Sequence, residues 1–304
     1  MSLAEAMLLT VITASTPLLI AALGELVVER AGVLNLGVEG MMVMGAASGF
    51  AAAIVTGSTL VGVVAGIAAG MAMALAFGVM TLVFAANQVA SGLALTILGL
   101  GLSGLVGAGF VGLRRDPMPD LYIPGLTDIP FVGPVLFGQD AFVYASFALA
   151  GGVSWFLWRT RAGLKLRAIG ENQSSAHALG HRVIRTRFLA VLFGGACAGL
   201  AGAYLSLAYT PFWVSGMTAG RGWIALALVV FSSWLPLRAV IGAYLFGAVS
   251  ILQLYAQGAG VGVPSQLMSA LPYLATIVVL VAISGARARG RAPGSLGIPF
   301  VPDR

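Results

Sequence analysis

Charge is scarce in this chain. Of 304 residues only 9% are Asp, Glu, Lys or Arg, against 59% hydrophobic, and the mean hydropathy is +1.00. Soluble domains carry about 25% charged residues, so a water-covered globule is excluded and lipid must solvate most of the surface. Cysteine is nearly absent. Cys197 alone can form no internal disulfide, and beside Gly194, Gly195 and Gly199 it reads as a small packing residue. Histidine is limited to His177 and His181, four apart with no third ligand nearby, which disfavours a metal site. Lys165 is the single lysine and lies outside any Gly-rich phosphate loop, so the chain has no nucleotide site of its own. A Ser/His/Asp set is also missing. The sequence offers no catalytic residues and calls for no cofactor.

What is present is a succession of long apolar runs. A bilayer core takes about 20 apolar residues as helix, and runs of that length fall at about 3–23, 38–56, 59–85, 88–112, 141–158, 188–210, 222–236, 239–257 and 270–286. The runs are continuous rather than alternating, so they read as helices and not as barrel strands. The expected fold is an all-α, polytopic transmembrane bundle of about nine spans, forming a single transmembrane domain over 1–304. A re-entrant segment at 24–37 would change the count by one. The first span has no basic stretch before it and carries Glu5, unlike a cleaved signal peptide.

The net charge of +6 arises from bases in short runs between the spans, which is membrane topology rather than nucleic-acid binding. Loop 159–187 holds Arg159, Arg161, Lys165, Arg167, Arg182, Arg185 and Arg187. Placing it in the cytoplasm puts Arg30, Arg238, Arg287, Arg289, Arg291 and Arg304 there too. Only Arg114, Arg115 and Arg221 are then outside. Loop 113–140, with Asp116, Asp120, Asp128 and Asp140, becomes extracytoplasmic, the N-terminus outside and the C-terminus inside.

Polar residues interrupt the apolar background in three places. In 24–45, Glu25, Glu29, Arg30 and Glu39 must pair, face a cavity or sit at an interface, since an unpaired charge at the bilayer centre costs about 3 kcal/mol. Glu29 with Arg30 is expected to form an interfacial pair. Asn35 and Glu39, four apart at the start of a span, are candidates for the transport pathway, with helix capping and dipole neutralisation as the alternative. In 87–96, Asn87, Gln88, Ser91 and Thr96 offer the neutral donors and acceptors that a hydroxylated solute requires, or that inter-helix hydrogen bonds would use. In 159–187, Asn172 resembles an N-cap and Gly180 a terminator, enclosing a short helix over Glu171–His181 that is poor in bulk. Gly170, Glu171, Asn172, Ser175, Ala176 and Gly180 are the candidate contacts to a cytoplasmic partner. Gly62, Gly66 and Gly70 repeat at small-xxx-small spacing, which suits close helix packing. The G-x-G-x-x-G of Gly99, Gly101 and Gly104 lies inside a span and is not a dinucleotide signature.

The segments ERAGVLNLGVEGMM (29–42), NQVASGLAL (87–95), AGLKLRAIGEN (162–172), GWIALALVVF (222–231) followed by W-x-P (234–236), and SLGIPF (295–300) occur in an order that resembles the permeases of nucleoside and simple-sugar ATP-binding-cassette importers, relatives of the ribose and branched-chain amino-acid permeases. The resemblance implies a non-catalytic translocation subunit. It implies a cytoplasmic ATP-binding-cassette ATPase that hydrolyses ATP and receives the 171–181 helix, a second permease subunit of paralogous type, an extracytoplasmic substrate-binding lipoprotein, and a bacterial plasma (inner) membrane. Three departures from the pattern are Gln173 for Pro, Ser232-Ser233 for Gly plus a base, and Thr96 for Asn. An ion-gradient-driven transporter or channel for a small polar solute is the alternative; it would use Glu39 or Glu25 as a mid-membrane titratable group.

Overall fold

The computed structural model describes residues 3–258, 264, 266–268, 270, 271, 274, 277, 278, 281 and 292–302. Among them the regular elements are all helical: α1 (Leu3–Arg30), α2 (Val38–Thr56), α3 (Thr59–Gly78), α4 (Gln88–Gly107), α5 (Val132–Phe137), α6 (Ala141–Arg159), α7 (Arg161–Glu171), α8 (Gln173–Ala178), α9 (Val183–Tyr204), α10 (Arg221–Phe231) and α11 (Pro236–Gly258). Widened π turns extend α3 through Val79–Val83 and α9 through Leu205–Tyr209.

Seven of these helices, α1, α2, α3, α4, α6, α9 and α11, are long and apolar enough to cross a bilayer. The expectation of about nine spans is reached by neither the long helices nor the described residues. The run at 222–236 yields only the 11-residue α10, about 16 Å long and half of a ~30 Å hydrocarbon core. The run at 270–286 lies largely outside the described residues. The first span, by contrast, does not stop at residue 23. It continues for 28 residues to Arg30, because the acids that seemed to end it find hydrogen-bond partners inside the bundle.

The spans sort the connections into two groups at opposite ends of the bundle. At one end, Arg30 donates to the Trp234 carbonyl, Leu34 N–H to Gln88 Oε1, Arg187 to the Ala31 and Ile298 carbonyls, and Ser295 N–H to Gly170 O. At the other end, Arg115 donates to the carbonyls of Ala53 and Gly57 and to Thr59 Oγ1, and its N–H to Pro211 O. The basic stretch 159–187 belongs to the first end, and the long segment 113–140 begins at the second, where Val111 bridges to Trp213 and Arg114 to Phe212.

Enclosure follows glycine. α2 is surrounded by α3, α4, α9 and the start of α10, and its backbone closely approaches theirs where side chains are missing. A Cβ on Gly202 of α9 would land on the Met42 carbonyl of α2; one on Gly70 of α3 would meet Gly195 and Gly199 of α9. Gly62 and Gly66 likewise face α2 and α9, so the Gly62-Gly66-Gly70 row serves internal packing, which in lipid replaces the missing hydrophobic drive to association. Cys197 is buried against Gly24. The outward faces of α3 and α4 carry Leu60, Val64, Ile97 and Leu105, all well exposed, as lipid-facing surfaces should be.

Candidate functional site

After Arg30 the chain turns at Gly32 (φ +85°) and runs back into the bundle as non-helical backbone through residues 31–37. A Cβ on Gly32 would meet Arg187 Nη2, so the turn needs glycine for both its conformation and its close approach. The segment climbs until Asn35 lies beside Glu25, whose carboxylate accepts from the Asn35 N–H (3.3 Å) and from Nδ2 (3.4 Å). Glu25 lies five positions before Arg30 on α1, about 7 Å of helix, so α2 starts well inside the bundle. Irregular backbone at membrane depth requires partners, and α4 supplies them: Gln88 Oε1 accepts from Leu34 N–H (2.8 Å), and Thr96 Oγ1 donates to Leu36 O (3.1 Å). Gly92 gives room for Leu36 and Gly37.

A second interruption meets the first. Beyond the π turn that ends α9, residues 210–220 return into the bundle and α10 begins there. Glu39, in the first turn of α2, accepts from Thr218 Oγ1 (2.6 Å), Gly220 N–H (2.9 Å) and Gly222 N–H (2.6 Å). One carboxylate thus neutralises the N-terminal dipoles of two helices that both start inside the bundle. α10 then descends to Trp234, whose indole donates to Glu29 Oε2 (2.6 Å) and whose carbonyl accepts from Arg30 Nε and Nη2 (3.1 and 3.0 Å). This corrects the expected Glu29–Arg30 pair: successive helical residues point in different directions, and both side chains converge instead on Trp234. Ser233 and Trp234 adopt left-handed φ values of +51° and +57°, whereas Ser232, at the position where the family pattern has Gly, is right-handed at φ −71°.

The six candidate pathway residues are thereby located. Asn35, Glu39, Gln88, Ser91 and Thr96 are buried around the re-entrant segment, while Asn87 is exposed and caps α4 through Ala90 N–H (3.0 Å). Gln88 Nε2 is buried without a hydrogen-bond partner among the described residues. Arg221, expected in an outer loop, instead starts α10 inside the bundle with its guanidinium over the Tyr209 ring at 5.7 Å.

In the basic stretch, the helix expected over Glu171–His181 is divided. Glu171 ends α7, Asn172 caps α8 by accepting from Ser175 N–H (2.9 Å), and Gly180 turns the chain at φ +81°. α7 was not foreseen; its amphipathic RAGLKLRAIGE buries Gly163, Leu166, Ile169 and Gly170. Gln173 and Ala176 of α8 point inward, with Ala176 packed on Ile169, Val183 and Phe300, so Asn172, Ser174, Ser175, His177 and Ala178 form the outward face. The C-terminal SLGIPF segment straps this region: Gln173 N–H donates to Ser295 Oγ and Gln173 Nε2 to Pro299 O. A Pro at 173 would lack the first of these donors. Arg187 completes the strap by bridging Ala31 O (3.0 Å) and Ile298 O (3.3 Å) from a fully buried position. The sequence had shown Arg187 only as one of several flanking bases, because the apolar run begins at 188; α9 starts at Val183 and so carries Arg187 one helical turn inside.

A membrane bundle with two re-entrant segments locked to one carboxylate, and a strapped helix pair at one end, has the form of a translocation subunit. Residues 7–283 match the family described as the branched-chain amino acid transport system permease component. The chain belongs to that family. It is 45% identical over 302 residues to the putative glucose ABC transporter permease protein TsgC13 of Haloferax volcanii, covering 92% of each chain. Similarity to the guanosine ABC transporter permease protein NupQ of Bacillus subtilis is 31% over 307 residues, 94% of this chain and 93% of the relative. The nucleoside ABC transporter permease protein NupC of Lactococcus lactis is 28% identical over 306 residues, 94% of each chain. No solved structure matches. The chain is therefore a multi-pass membrane permease of ATP-binding-cassette type, and the reading as an ion-driven transporter gains no support from its relatives.

Proposed function

We propose that this permease imports a neutral polyhydroxylated solute, a simple sugar or a nucleoside, with ATP hydrolysed by a separate ATPase. The observation that carries the reading is end-to-end similarity to permeases named for glucose, guanosine and nucleosides. The end bearing loop 159–187 is the cytoplasmic one by its excess of bases, which places the N-terminus and loop 113–140 outside. Of the pathway candidates, Gln88 retains a free amide donor, whereas Asn35, Glu39, Asn87, Ser91 and Thr96 shape the wall beside it. A second permease subunit and an extracytoplasmic binding lipoprotein complete the importer, in the plasma membrane of the source cell.

The outward face of α8, with exposed Glu171 just before it, docks on the ATPase; Gly170 and Ala176 support it from the buried side, and the C-terminal strap makes that face rigid enough to transmit motion into α6 and α9. Replacing exposed Ala178 by Trp is expected to abolish ATP-driven uptake while the protein inserts normally. Uptake of labelled glucose and guanosine, with the partner ATPase active or inactivated, tests the whole reading. Concentrative uptake that survives loss of the ATPase overturns it.

A further inference from the structure

A cavity of about 330 Å³ opens between α1, the end of α9, the start of α10 and α11. It is separate from the polar set around the re-entrant 31–37 segment, and its volume lies at the lower end of the roughly 300–1,000 Å³ typical of small-molecule sites. Its walls are mainly apolar, with Leu18 and Phe246 among them, but four polar groups converge on it: Tyr209, Arg221, Ser250 and Gln253. All four come from helical backbone, Tyr209 from the π turn that ends α9, Arg221 from α10, and Ser250 and Gln253 from α11, rather than from surface loops. Gly247 lets α11 close against Ser15 of α1 and so fixes the back wall.

The polar groups keep unused hydrogen-bonding capacity. Arg221 spends Nη1 on the carbonyls of Met217 and Thr218 (3.1 and 3.3 Å) and lies over Tyr209, but no carboxylate pairs with it among the described residues. Ser250 donates to Phe246 O (2.9 Å) and can still accept. Gln253 lies half-buried on an apolar helix and makes no hydrogen bond among the described residues. Polar side chains at such positions in a membrane helix face the bundle interior or a water-filled cavity and mark solute pathways. A planar guanidinium and an amide, each presenting paired donors or a donor–acceptor pair, match adjacent hydroxyls on one ring, and an aromatic face beside them suits the apolar face of a sugar or a base. The lack of a carboxylate also suits a ligand without a cationic group.

We propose that this cavity is a substrate-contact site, in which Arg221 and Gln253 recognise the vicinal hydroxyls of a sugar ring, either a free monosaccharide or the ribose of a nucleoside, against Tyr209. The proposal rests on the sugar-or-nucleoside reading given above and adds where the solute is held. The cavity lies on the side of Glu39 away from the strapped α7–α8 pair, at the half of the bundle where an importer would receive its load.

The test uses the assembled importer with its ATPase and binding lipoprotein. In a Cys197→Ala background, Gln253→Cys is labelled with an impermeant maleimide in the presence of glucose, ribose or guanosine. Protection by the transported solute is expected. Protection by glucose and ribose identifies the free ring as the ligand, and protection by guanosine alone identifies the nucleoside. In parallel, Gln253→Leu and Ser250→Ala are expected to raise the solute concentration for half-maximal uptake by roughly fivefold to tenfold, in protein that reaches the membrane at the wild-type level. Normal transport by wild type with no protection by any solute, and no change in either variant, overturns the cavity assignment alone. Absence of ATP-dependent uptake by wild type for all three solutes overturns the parent reading instead.

Discussion

The knot around Glu39 and the cavity beside Arg221 are neighbours built from the same stretch of chain, yet their polar groups are in opposite states. At the knot every acceptor is used: three donors converge on one carboxylate at 2.6–2.9 Å. In the cavity, Arg221 and Gln253 retain donors without partners among the described residues. Saturated polar groups in lipid hold two broken helices in place, whereas unsaturated ones are available to a ligand. Polarity inside a membrane protein therefore separates into scaffold and site by hydrogen-bond accounting rather than by residue type.

Substitutions that alter the accounting test this contrast. The largest effect is expected for Glu39→Ala, which strands the Gly220 and Gly222 N–H groups and the Thr218 hydroxyl. A loss of more than about 3 kcal/mol is expected, read as failure to recover monodisperse protein after detergent extraction. Thr218→Val removes one donor to the charged group and should cost about 1.5–3 kcal/mol, read as a lowered midpoint in thermal unfolding in detergent. Gln88→Leu removes the acceptor for Leu34 N–H but also an unpaired buried donor. Its stability cost should be smaller, about 1 kcal/mol, while uptake falls several-fold. The smallest change is expected for Gln253→Leu, within about 0.5 kcal/mol of wild type in the same unfolding assay. A loss there as large as that of Thr218→Val would show that Gln253 is scaffold and erase the contrast.

Sidedness is open to a separate measurement. Ser174, exposed on α8, and Thr127 should be labelled from opposite sides when each is replaced by Cys in a Cys197→Ala background. External labelling of the 174 probe would invert the bundle and place the Arg221 cavity at the cytoplasmic half.

Much of the fold was legible in the chain itself. A bilayer core imposes a length on any apolar helix that crosses it, so the seven long spans stand out as runs, and Asn172 and Gly180 announce the turn boundaries around α8 through their capping chemistry. The intramembrane Asn35, Glu39, Gln88, Ser91 and Thr96 were visible because polarity stands out against so apolar a background. What they do was not. Nothing in the spacing of Glu39 reveals that its donors lie some 180 residues away at Thr218, Gly220 and Gly222, and Glu29 and Arg30 looked like partners because they are adjacent in sequence. Hydropathy measures how much a segment prefers lipid, not how deep it goes, so the run at 222–236, which holds only the short α10, read as a full span and the helical Glu25 and Glu29 as the end of one. Length, composition and local capping are properties of contiguous residues, and the sequence alone determined them. Which polar groups are satisfied and which are left for a solute depends on contacts between distant segments, and only the tertiary structure decided that.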